Sequence, residues 1–173
     1  MERLQRAQTF LDELQREDRM TSVLVPEQNL AETMARLEKS LLTPAIAGEL
    51  SAWVSEVQDA AATLTVDLAS YLHSVLHVQY NEIARTDSEM SAQVEKLLAG
   101  DQQLLEQITR FHEDLHALAA AAVHVQKNEG KLADQRQRLE AEGLALILSI
   151  KKQQAVATTW LAEAHYRDRG VAG

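Results

Sequence analysis

Apolar residues recur at three- and four-residue intervals along almost the whole chain and nowhere settle into alternation, so the pattern predicts helices and no sheet. The longest regular stripe lies in the second half. Leu104, Ile108, Phe111, Leu115, Leu118, Ala122, Val125, Leu132, Leu139, Leu146, Ile150, Ala157 and Trp160 keep a seven-residue seam. An earlier stripe runs Ile46, Leu50, Trp53, Val57, Ala60 and Leu64, then slips to Leu68, Tyr71, Val75 and Val78. Between Leu64 and Val78 the apolar face is widened by Val66, Leu72 and Leu76, which predicts more than one neighbouring helix there.

Turn signals divide these stripes. Gly100 is placed to stop one helix and Asp101 to cap the next, so Ala99-Gly100-Asp101 predicts the tip of a long helical hairpin covering residues 44–168, with its turn at 99–101. Folding back there sets Trp53 and Val57 against Leu144, Leu146, Ile147 and Leu148, Leu50 against Ile150, and Leu97 against Leu104. Thr86-Asp87-Ser88 could cap a fresh helix and marks a second place for a break. Asn128-Glu129-Gly130 is a third: a turn at 127–131 would split the second arm and give a compact bundle. The seam through Leu132 and Leu139 favours instead a continuous rod of roughly 100 Å.

Residues 1–43 read as N-terminal packing helices. The first, about Glu2 to Arg19, carries Leu4, Ala7, Leu11 and Leu14 beside Phe10. After a connector, Pro26 opens a second helix whose stripe is Leu30, Met34, Leu37 and Leu41, and Thr43-Pro44 closes it and begins the first long arm. Residues 169–173 are expected to fray. The fold class predicted is all-α: a long antiparallel, coiled-coil-like helical hairpin with the N-terminal helices packed on it as a three- or four-helix bundle.

Composition narrows the class of partner more than it alters the fold. A formal net charge of -9 and a pI near 5.1 oppose binding to a phosphate backbone, which needs a basic face to displace counterions, so nucleic acid is not an expected partner. The chain has no cysteine, which removes thiolate metal sites and disulfides. Its first ten residues contain no apolar leader segment, and the longest apolar run, Ala117 to Val123, is far short of the ~20 residues needed to cross a bilayer. A soluble, cytoplasmic protein without membrane insertion is expected.

The histidines are the one chemically suggestive set. His73 and His77 are one turn apart, as are His112 and His116, and such spacing on a helix can chelate a metal. Under the 99–101 turn His77 and His124 fall at one level with His73 a turn away, which makes His73, His77 and His124 the candidate metal ligands; His112 would face Glu89 and His116 would fall near Arg85. A di-iron bundle needs two Glu-x-x-His motifs, and only Glu113-x-x-His116 is present. No nucleophile elbow or phosphate loop occurs, so no catalytic residue and no cofactor is assigned.

Glu129, Arg136, Gly143 and Gln153 interrupt the seam where apolar residues would otherwise sit. They are expected either to fix register or to mark where a partner chain inserts. The function this predicts is that of a non-enzymatic structural or adaptor subunit that assembles with other helical proteins through coiled-coil-type seams. Trp53, Leu68, Leu72, Leu76 and Trp160 are the expected protein interface. The alternative is a metal-binding helical bundle using the histidine cluster.

Overall fold

A ladder of apolar residues at strict four-residue steps, Leu64, Leu68, Leu72, Leu76 and Tyr80, determines the shape of the first long helix. Each four-residue step in an α-helix overshoots a turn by about 40°, so five such residues cannot share one face of a regular helix. In the computed structural model, which describes residues 25–45, 49–122 and 129–170, the backbone widens there. Helix α2 (Leu50–Tyr71) passes into a π-turn at Leu72–Leu76 and continues as α3 (His77–Thr86). The extra residue in the π-turn keeps all five ladder residues buried. Val78, expected in the seam, lies outside it and is exposed.

The described residues form an all-α bundle. Helix α1 spans 25–42. After α3, a short 3-10 turn at Ser88–Met90 leads into α4 (Ser91–Ala122), and α5 (Glu129–Gly170) follows. Consecutive long helices run antiparallel. Going from residue 58 to 77 on the first, the partners on α4 fall from His116 through His112 to Asp101. Between α4 and α5, Arg167 Nη1 lies 3.3 Å from Met90 Sδ, while Gln153 meets Leu97 and Asp101. Helix α1 lies against α2 and α5: Ser40 Oγ donates to Glu56 at 3.2 Å, and Arg136 donates to the Thr43 carbonyl at 3.3 Å.

The bundle overturns the predicted turn. Residues 99–101 are helical, in the interior of α4. Gly100 is there for space: a Cβ on it would sit 2.7 Å from Gln153 Nε2. Asp101 is 1% exposed and bonds sideways to other helices rather than capping its own. The reversal falls at Asp87, where the backbone becomes extended and the Asp87 carboxylate accepts from Glu89 N at 2.9 Å. The second arm is split as well. Helices α4 and α5 pack on each other antiparallel, so the continuous rod is replaced by the compact bundle; residues 123–128, which include most of the expected 127–131 turn, lie outside the described residues.

Other boundaries move less. Thr43 closes α1, its hydroxyl donating to the Lys39 carbonyl at 2.9 Å, but α2 starts only at Leu50 rather than at Pro44. Helix α5 continues to Gly170, and the helix expected at 2–19 lies outside the described residues. One cluster of buried residues joins all the helices, among them Leu37 of α1, Leu64 of α2, Ile108 of α4 and Ile150 of α5. Each fully buried side chain of this size contributes about 1.5 to 3 kcal/mol. Gly143 of α5 belongs to this packing, since a Cβ there would meet Leu41 Cδ1 at 2.6 Å and Phe111 Cζ at 3.0 Å. Among the described residues no helix is long and apolar enough to cross a membrane.

Candidate functional site

Where the π-turn ends, three helices bring polar side chains together inside the bundle. The turn delivers His77 toward α4, and its Nε2 donates to Asp101 Oδ2 at 3.2 Å. From α5, Gln153 Nε2 donates to Asp101 Oδ1 at 2.9 Å and to the Leu97 carbonyl at 3.1 Å. Both hydrogens of that amide are thus used, and both carboxylate oxygens are partnered. Close approach of the Gln153 side chain to α4 is what the absent Cβ of Gly100 permits.

Electrostatics follow from depth. Burial pushes the Asp101 carboxyl above the ordinary range, opposed by the Gln153 hydrogen bond and by His77. The Tyr80 hydroxyl, on a residue 0% exposed and without a hydrogen-bond partner among the described residues, has its pKa raised by burial, by the nearby Asp101 charge and by Tyr71. Tyr71 is also raised, chiefly by burial, with a Gln154 hydrogen bond acting the other way. Around these groups the rings interlock: Tyr80 has its centroid 6.1 Å from His77 and 6.1 Å from Trp160, and His77 lies 6.2 Å from the exposed His73.

Chemically the cluster is a carboxylate that orients an imidazole, cross-tied to a third helix by a carboxamide. Gln153, one of the expected polar seam residues, is thus hydrogen-bonded across the α4–α5 seam. Arg136 works similarly at the other end of α5, its guanidinium 5.1 Å from the Trp53 ring centroid while it reaches the Thr43 carbonyl. The partner of Trp53 is therefore Arg136, not Ile147.

The expected metal set is not assembled at this level. His77 is turned onto Asp101, His73 is exposed, and His124 lies outside the described residues; the level opposite His77 is that of residue 101. Among the described residues no group of three or more histidine and acidic side chains is arranged to hold a metal ion. His112 and His116 are also re-paired. His112 Nε2 donates to Thr65 Oγ1 at 2.9 Å, whose own hydroxyl donates to the Ala61 carbonyl, and Gln58 Nε2 donates to His116 Nδ1 at 3.1 Å. Burial lowers the pKa of His112.

Trp53, Leu68, Leu72, Leu76 and Trp160, the expected interface, are all buried in the chain's own core. Among the described residues the large apolar residues that do face outward are others: Val25, Leu42, Val66, Val78, Leu148, Val156 and Tyr166. Asp101 and Tyr80 were not anticipated as partners; the four-residue ladder ending at Tyr80 was the signal for the π-turn that brings His77 to Asp101. The described residues together define a class, an all-α bundle with a polar layer at His77, Asp101 and Gln153. The chain matches no protein-family model, no curated protein and no solved structure.

Proposed function

We propose that this chain is a non-enzymatic structural or adaptor subunit that assembles with other helical proteins inside the cell, in the cytoplasm, through seams between helices. One observation carries the reading: with the core already filled, large apolar side chains still stand outward on three helices, Val66 on α2, Val78 on α3 and Leu148 and Val156 on α5. On α5 Leu148 and Val156 stand outward beside Ala145 and Ala155, so an apolar strip remains on the side turned away from the core. Burying such residues against a partner helix contributes about 1.5 to 3 kcal/mol each.

The mechanism is division of labour. The Asp101–Gln153 layer holds the bundle in one register, so the outward residues are presented at fixed spacing. The test is purification of the tagged chain from its native cell at low and moderate salt, with the stoichiometry of everything retained. Helical proteins in fixed ratio are the expected result; a chain that is recovered alone and remains monomeric removes the proposal.

A further inference from the structure

We propose that the outward face of α5, from Ala145 to Glu163, docks on the outward face of α2 in a second copy of this chain. The inference rests on the assembly reading and names one surface and one occupant for it. On α5 the face is formed by Ala145, Leu148, Lys152, Ala155 and Thr159 at helical spacing, with Lys151 and Val156 on its flanks; all are exposed, Leu148 at 66% and Val156 at 42%. Beside it, toward α4, an open groove of about 370 Å³ is lined by Gln93, Ala155, Val156, Thr159, Trp160 and Glu163. The face carries two lysines, Lys151 and Lys152, in its middle, and one acid, Glu163, at its C-terminal end.

Its complement is on the same molecule. Helix α2 carries three acids, Glu56, Asp59 and Asp67, and no lysine or arginine. Ser55, Asp59, Ala62 and Val66 share its outward face, and Val66 is 68% exposed. A lysine-flanked apolar stripe thus has as its natural counterpart an acid-flanked stripe of small and apolar residues. Charge of this arrangement steers encounter and rejects like faces, so α5 against α5 and α2 against α2 are both disfavoured. In the bundle α2 and α5 each pack on α4. Their outward faces belong to different parts of the surface, and the contact between copies is heterologous. A single helix pair is a small interface, so association is expected to depend on concentration and to weaken with salt.

Sedimentation equilibrium of the full chain over a range of concentrations, at low and moderate salt, reads this directly. The wild type is expected to self-associate, more strongly at low salt. Lys151→Glu with Lys152→Glu on one chain, and Asp59→Lys with Asp67→Lys on another, should each weaken self-association by about tenfold or more, whereas an equimolar mixture of the two should recover it. Leu148→Asp should leave the helical circular-dichroism spectrum unchanged and abolish association. A wild type that is monomeric throughout, or a mixture that shows no recovery while both variants keep the wild-type spectrum, overturns the proposal. A monomeric chain that still holds a different helical protein in fixed ratio refutes the second copy and leaves the adaptor reading standing; a monomeric chain that holds nothing refutes both.

Discussion

Around Val57, Leu64 and Leu115 the bundle interior is apolar and fully closed, whereas beyond the π-turn, where α3 begins, the same interior holds His77, Asp101 and Gln153. At the first level many alternative side chains of similar volume would satisfy the same packing, and sliding one helix by a turn would exchange one apolar contact for another. At the second level a slide by one turn would leave a buried carboxylate without its two partners. The apolar level supplies stability and tolerates error; the polar level supplies little stability and tolerates none. Asp101 itself illustrates the cost, since burial has already pushed its carboxyl toward the protonated form.

The largest effect is expected where the apolar level is opened. Leu64→Ala should lower the unfolding free energy by about 2 to 5 kcal/mol in urea, with spectra that remain those of one native state. Somewhat smaller is the effect of filling space the bundle uses. Gly143→Val places atoms where Leu41 and Phe111 now lie, and a loss of about 1 to 3 kcal/mol is expected, read from the same urea transition.

At the polar level the sign should reverse. Asp101→Leu combined with Gln153→Leu is expected to be neutral or stabilising by about 1 to 4 kcal/mol, because an apolar pair avoids the desolvation of a buried charge. The same variant should show broadened or doubled amide resonances for α4 and α5, the mark of lost register. A variant that is destabilised yet keeps a single set of sharp resonances would reverse the comparison between the two levels.

Acid titration sharpens it further. The folded-state pKa of Asp101 lies above its unfolded value, so its contribution to stability is fully present below the unfolded value of 3.8 and is lost as pH rises through the folded value. Relative to Asp101→Asn, the wild type should therefore gain stability on acidification across that window, as measured by thermal midpoints of the two proteins side by side. His112 behaves oppositely. Its pKa is lowered from 6.5, so the folded protein favours the neutral ring, and stability is lost as pH falls from above 6.5 toward the folded value. His112→Gln should remove that loss, the smallest of these effects, since the ring is only partly buried.

Much of this was readable in the residues. The three- and four-residue spacing predicts helices, and α1 is found where Pro26 and the stripe Leu30, Met34, Leu37 and Leu41 put it. Thr86-Asp87-Ser88 reads as a place for a break, and the chain reverses there. The misreading of Gly100 has a definite cause: a glycine followed by an aspartate is chemically the same whether it ends a helix or makes room for a neighbour. Displacing the turn from Asp87 to Gly100 shifted every partner on the second helix, which is why His77 was paired with His124 and Trp53 with Ile147. The candidate interface failed for a related reason, because large apolar residues such as Leu68 and Leu72 serve a core and an interface equally well.

By itself the sequence determined that the chain is helical, which face of each helix is apolar, and that three polar residues and a glycine interrupt a seam, because all three are properties of spacing within one helix. Only the tertiary structure decided where the chain reverses, which helix lies beside which, and that Asp101, His77 and Gln153 meet. Those depend on distances between residues far apart in the chain, and a helical stripe is nearly invariant to sliding by one turn. The choice among registers is made by a few unrepeated features, a missing Cβ at Gly100, another at Gly143 and one buried carboxylate, whose roles exist only once a second helix lies against them.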